Sequence, residues 1–170
     1  METDKLIKLV SHYESLHDGD LSVIGLQPKM CPAGYWTEGY GRVIRDEKGM
    51  LKGISNKAKA YKLSTIKTVE QALKALNEDL EEYENRVNSL HLVINQDQKD
   101  ALVSFSYNVG FDALKGSTLL KLVKAKASAT QIDKEFRKWN KGGGKVLPGL
   151  VARRTSEALL FITGEVKYFN

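Results

Sequence analysis

Val69, Ala72, Leu73, Leu76, Leu80, Tyr83 and Val87 recur at spacings of three and four between Thr68 and Ser89. That pattern predicts an amphipathic helix of about 20 residues, roughly 30 Å long. Thr68 followed three residues later by Gln71 supplies a capping box at its start. A helix of this length can bridge two lobes. The chain of 170 residues suits one core, or two small lobes that share it, and is too short for two ordinary independent domains. The opposite face of the helix is acidic (Glu78, Asp79, Glu81, Glu82, Glu84) and reads as solvated.

The flanks differ in kind. Before the long helix, Leu6, Leu9, Val10 and Tyr13 predict a first helix ending between Glu14 and Leu16, which places Glu14 at a helix end. The stretch HDGDLSVIGLQPKMCPAG is rich in turn formers and reads as loop with short extended pieces. YWTEGYGRVI (35–44) and the turn signal DEKG (46–49) predict a small hairpin or three-stranded sheet. After the long helix the pattern is helical throughout. Asn95 with Gln98 caps a segment that Gly110 stops, and Ser117 opens an apolar stretch. Ile132, Phe136 and Trp139 form a further helical face read as core, and the glycine run 142–144 with Pro148 precedes a last helix. The expected fold is α+β: a lobe over 1–67 with a short antiparallel sheet, a connecting helix over 68–89, and an all-helical lobe over 90–170.

Composition narrows the function. Hydrophobic residues make up 42% and charged residues 28% of the chain, as in a globular protein. The longest apolar run, Ala158 to Ile162, is far short of a membrane span, so no membrane anchor is expected. The opening METDKLIKLVSHYE lacks the apolar core of a secretory signal. Cys31 is the single cysteine, which excludes an internal disulfide and fits a reducing compartment. His12 and His17 are spaced poorly for joint ligation, so neither a metal nor a cofactor is expected. The net charge of +5 is spread as +3 over residues 1–67, −4 over 68–90 and +6 over 91–170. Attraction to a polyanion such as a bacterial cell wall and a plain solubility surface both fit that distribution. A nucleic-acid binder would rest on charge alone, without an arginine-rich recognition helix or a known motif.

By spacing alone, Glu14, Asp18, Asp20, Cys31, Thr37 and Glu38 are polar groups near an expected inter-lobe cleft. The ordered pieces Tyr13-Glu14-Ser15-Leu16, Cys31-Pro-Ala-Gly-Tyr-Trp-Thr37-Glu-Gly-Tyr-Gly41, Gln98 to Gly110, Gly116 to Leu120 and Pro148 to Arg154 say more. Over nearly the whole chain they resemble the phage-type lysozymes, glycoside hydrolase family 24. That resemblance implies hydrolysis of the β-1,4 bond between N-acetylmuramic acid and N-acetylglucosamine in peptidoglycan.

By position, the resemblance implies Glu14, Cys31 and Thr37 as the catalytic set. A carboxyl at Glu14 would protonate the leaving oxygen. A water on the opposite face of the sugar would be held by an acceptor and the Thr37 hydroxyl, as in inverting hydrolysis. Cys31 stands where the family usually has aspartate. It reads as a thiolate or dipolar water holder, as a small buried hydrophobe, or as a covalent nucleophile that would give retention. Sixteen residues separate Glu14 from Cys31, longer than the family's usual spacing. The extra stretch carries Asp18 and Asp20, either a solvated turn or a replacement carboxylate.

Arg42 replaces a histidine read as structural, and Glu38 reads as a surface or lobe-interface residue. Tyr107, Asn108, Ser117 and Thr118 are implied sugar contacts, with helix packing the competing role for the aromatic ring. Arg153 and Arg154 read as surface salt-bridging groups that can also meet anionic peptide stems. The implied protein is a monomeric endolysin made in the bacterial cytoplasm, dependent on a separate holin to reach the wall. The alternative is a degenerate member that binds peptidoglycan without cutting it.

Overall fold

The computed structural model describes residues 3–170, and side chains from Lys5 onward. These fall into two compact units, one comprising Glu14–Asp79 and the other the chain up to Tyr13 together with Leu80–Asn170. The long helix α3, Val69–Asn88, contributes to both. Its capping box forms: Gln71 N–H donates to Thr68 Oγ1 at 3.1 Å and Thr68 N–H to Gln71 Oε1 at 3.2 Å.

In the first unit, β1 (Lys29–Met30), β2 (Trp36–Glu38) and β3 (Arg42–Val43) form an antiparallel sheet in that order. Lys29 faces Thr37, Met30 faces Trp36 and Glu38 faces Arg42. A hairpin of β4 (Arg45–Asp46) and β5 (Gly49–Met50) closes over the DEKG turn, where Asp46 Oδ1 accepts from Lys48 N–H at 2.8 Å. Helix α2 (Lys57–Leu63) follows. Trp36, Ile44, Leu51 and Ala60 pack together, with Met30 and Tyr61 against them. A second cluster joins Ile66, Ala72 and Ala75 to Leu16, Leu26 and Tyr40.

Two expectations for this unit are corrected. Glu38 is no surface residue: it is 6% exposed, and its carboxylate accepts from Ser64 Oγ at 2.7 Å and from the Thr65 and Ile66 amides at 3.0 and 3.1 Å. A strand carboxylate thereby ties down the backbone entering α3. The acidic face of α3 is also not wholly solvated. Arg42 donates to both Asp79 carboxylate oxygens at 3.0 and 2.9 Å, to the Ala75 carbonyl at 2.7 Å and to Glu78 at 3.2 Å.

In the second unit, α1 (Thr3–Glu14) lays Leu6, Leu9 and Val10 into the core. It is held to the C-terminal residues: the Tyr13 hydroxyl lies 2.6 Å from Ser156 Oγ and accepts from Phe169 N–H, and His12 stacks on Tyr168. Helix α4 (Gln96–Val109) is buried from Asp100 to Ser106, capped by the Asn95–Gln98 box and ended at Gly110. Around it lie α5 (Phe111–Lys115), α6 (Thr118–Lys124), α7 (Ala129–Arg137) and α8 (Pro148–Thr163).

Three further corrections belong here. The lobe is not all-helical, because Lys141–Gly142 (β6) and Lys145–Val146 (β7) pair as a hairpin. Gly143 and Gly144 turn it with φ of +58° and +78°, the positive pair that two-residue hairpin turns need. Trp139 is half-buried rather than core. Arg153 and Arg154 are 2% and 0% exposed and share the fully buried Glu157, so they are internal ion-pair partners and not surface groups.

Asp100 is a second buried carboxyl, 2% exposed, with Gln96 Nε2 donating to its Oδ1 at 2.8 Å. Burial, with Glu84 and Asp97 adding like charge, pushes it up to about 6 from 3.8. The folded state therefore holds this proton more tightly than the unfolded state does. The resulting stability is fully present below about pH 4 and is lost as pH rises through 6. Asp100→Asn removes that titration. Relative to wild type, the variant is expected to gain up to about 3 kcal/mol between pH 4 and pH 7.5, read from urea midpoints.

Candidate active site

Helix α1 ends at Glu14 because Ser15 takes a left-handed conformation, φ +61°, which reverses the chain. Two residues on, His17 N–H donates to the Gly39 carbonyl at 2.7 Å, bridging this segment to the end of β2. The Gly39-Tyr40-Gly41 turn that follows β2 needs positive φ at both glycines, +59° and +94°. Gly41 faces both the end of α1 and His17. A Cβ placed there would lie 3.9 Å from Glu14 Oε2 and 4.0 Å from His17 Cε1. The carboxyl and the imidazole therefore lie beside the same point of the backbone.

Thr37 lies on β2, 3% exposed. Its hydroxyl donates to the Lys29 carbonyl at 2.8 Å and lies 2.6 Å from His17 Nδ1. Strand alternation from the Lys29–Thr37 pair puts Cys31 on the same face as Thr37. The Cys31 amide donates to the Tyr35 carbonyl at 2.8 Å, and Gly34 N–H donates to the Cys31 carbonyl at 2.8 Å. The thiol is half-buried at the start of that tight turn. Burial, and then the Lys29 charge, hold His17 below its ordinary 6.5, while Glu14 pulls the other way.

The structure thus brings Glu14 and Thr37 to one site and adds His17, which sequence reasoning considered only as a metal ligand. Its one signal was a histidine three residues after the helix-ending glutamate. The inserted acids serve their own loop. Asp18 Oδ1 accepts from the Asp20 and Gln27 amides, both at 3.2 Å, and Asp20 Oδ1 from Ser22 N–H and Oγ at 3.0 and 2.5 Å. The two Ser22 bonds hold the Asp20 carboxyl below its ordinary range.

The other expected contacts lie in the second unit. Tyr107 packs edge-on against Tyr83, with ring centroids 5.2 Å apart. Asn108 is exposed and, with Val109, Lys138, Trp139, Lys141 and Leu150, lines a concavity of about 400 Å³. Ser117 Oγ accepts from Leu120 N–H at 3.0 Å and donates to the Leu114 carbonyl at 2.7 Å, so it caps α6 from a buried position. Thr118 beside it is exposed.

This geometry can be set beside known proteins. A family model described as Phage lysozyme matches residues 22–157, a span that starts after Glu14 and His17. The chain is 30% identical over 164 residues to an endolysin of Acyrthosiphon pisum secondary endosymbiont phage 1, covering 94% of this chain and 96% of that protein. It is 52% identical over 99 residues to an endolysin of Bacillus phage B103, covering 58% of this chain and 37% of that protein. The match thus spans well under half the length of that relative. Among solved structures, the endolysin from Escherichia coli O157:H7 phage FAHEc1 is similar with a TM-score of 0.74 at 27% identity, covering 98% of this chain and 96% of that one.

Proposed function

Because the chain belongs to the phage lysozyme family, we propose that it is an endolysin, a muramidase that cleaves the N-acetylmuramic acid–N-acetylglucosamine β-1,4 bond of bacterial peptidoglycan. The observation that supports this reading is that the Glu14 carboxyl and the His17 imidazole, which contacts Thr37, both lie against Gly41. Breaking a glycosidic bond needs an acid at the leaving oxygen and a held water across the sugar. Glu14 is the acid. The water lies across the sugar from Glu14, on the side of the site where His17, Thr37 and Cys31 stand. Asn108, Thr118 and the Tyr107 ring are the polar and aromatic groups offered to the glycan, and Ser117 supports Thr118 by capping its helix.

Among the described residues no helix is long and apolar enough to cross a membrane. On this reading a monomeric enzyme accumulates in the bacterial cytoplasm and meets the wall through openings made by a separate holin.

The test is the chemistry of the new chain ends. Purified peptidoglycan digested with the protein and then reduced with borohydride is expected to yield muramitol. Glucosaminitol instead would assign cleavage to the other glycosidic bond. Sedimentation with the wall and no new reducing ends would mark a binder without activity, the reading that a thiol in place of a carboxylate at Cys31 favours.

A further inference from the structure

The hydrogens around His17 are fixed by valence. The Lys29 carbonyl can only accept, so the single Thr37 hydroxyl hydrogen, 2.8 Å away, is committed to it. The 2.6 Å contact between Thr37 Oγ1 and His17 Nδ1 must then be donated by the imidazole. In the neutral ring Nδ1 carries the hydrogen and Nε2 keeps a lone pair. The same bond count leaves Thr37 no hydrogen to offer a water.

We infer that His17 Nε2 accepts the proton of the attacking water, so that Glu14 and His17 form the acid–base pair of this chain and the Cys31 thiol does not. The inference rests on the muramidase reading. Glu14 Oε2 and His17 Cε1, the ring carbon bonded to Nε2, flank the same point over Gly41 and lie no more than about 8 Å apart. That upper bound is compatible with the roughly 6.5–9.5 Å by which inverting hydrolases separate acid and base. Two charged groups act on the ring, Lys29 from β1 and Glu14 from the end of α1. Burial and Lys29 outweigh Glu14, keeping the ring neutral and able to accept at pH 7. Thiol sulfur is a weaker hydrogen-bond acceptor than an imidazole nitrogen.

The step balances. The water oxygen bonds to the anomeric carbon as the bond to the leaving oxygen breaks. The water's proton passes to His17 Nε2, and the Glu14 proton passes to the leaving oxygen. Solvent then takes the imidazolium proton and returns one to the carboxylate. The first-formed sugar is the α anomer.

Three measurements test this on the full chain. Nitrogen-15 NMR of the wild-type imidazole at pH 7 is expected to show the Nδ1–H tautomer, and an Nε2–H tautomer overturns the inference. The acid limb of wild-type kcat/KM on peptidoglycan is expected to coincide with the His17 NMR titration below pH 6.5, and a limb elsewhere overturns it. His17→Asn keeps an N–H for Thr37 while removing Nε2. It is expected to lower kcat about 100-fold or more, leave KM within about twofold and abolish the acid limb.

Wild-type rate and profile in His17→Asn, with Glu14→Gln inactive, overturns this assignment and leaves the muramidase reading standing. An inactive wild type overturns both. Should His17→Asn fail to fold, the tautomer and the wild-type acid limb still decide.

Discussion

Glu14→Gln is expected to lower the rate of peptidoglycan hydrolysis between about 10²- and 10⁴-fold while leaving the fold and wall binding unchanged. Glutamine has the volume and planarity of the carboxyl and keeps an oxygen beside Gly41, so packing at the end of α1 is preserved. What is lost is a proton of carboxyl acidity. A departing sugar alkoxide is a poor leaving group, and a positioned general acid typically contributes a factor of this size. The effect should fall in kcat, because the proton transfer is made only in the transition state. Turbidity clearance and reducing-end release measure the rate, sedimentation with walls measures binding, and thermal unfolding controls for the fold. A variant that retains more than about a tenth of wild-type turnover removes Glu14 as the acid, and with it the muramidase reading of this site.

The parts of this molecule that the sequence made legible are those whose partners lie within a few residues. The Thr68–Gln71 and Asn95–Gln98 boxes, the stop at Gly110 and the stripe of α3 follow from contacts three and four apart. Glu14 was placed at a helix end because periodicity ends there. The turn at 46–49 was legible for the same reason.

Long-range polar pairing was not legible. Glu38 binds groups at 64–66, and His17 meets Thr37 across 20 residues. Nothing in a local pattern separates such a buried polar residue from an exposed one. Arg153 and Arg154 differ: their carboxylate partner Glu157 stands only three and four residues on along the same helix, but i,i+4 charge pairs are ordinarily solvent-facing, and the burial of all three is decided only when α4 packs on α8. The glycines at 142–144 read as a break because the strands they join are only two residues long and carry no apolar alternation, although Gly143 and Gly144 take the left-handed angles that turn a hairpin.

The largest stability loss is expected at Glu157. Its carboxylate is fully buried and holds Arg153 Nε at 3.1 Å, Arg154 Nε at 2.8 Å, Arg154 NH2 at 3.0 Å and Ser104 Oγ at 2.7 Å. The Arg154 guanidinium also lies 5.0 Å from the centre of the Phe105 ring. Glu157→Ala removes the buried carboxylate that both guanidinium groups share where α4 packs on α8. Removing one partner of a buried pair costs about 3–5 kcal/mol. That is a large share of the roughly 5–15 kcal/mol that holds a typical domain. At about 2–4 °C per kcal/mol for a chain of this size, Tm should fall by roughly 10–15 °C.

Glu157→Gln separates charge from volume. It keeps the shape and the Ser104 contact, so a loss nearly as large as that of alanine assigns the effect to charge, whereas a loss under about 1 kcal/mol assigns it to packing. The exposed pair of Arg86 and Glu82 on α3 is the control: Arg86→Ala should change stability by less than about 1 kcal/mol, and any effect should shrink with added salt. The Glu157 loss should persist in salt, because water and counter-ions do not reach a carboxylate with 0% exposure.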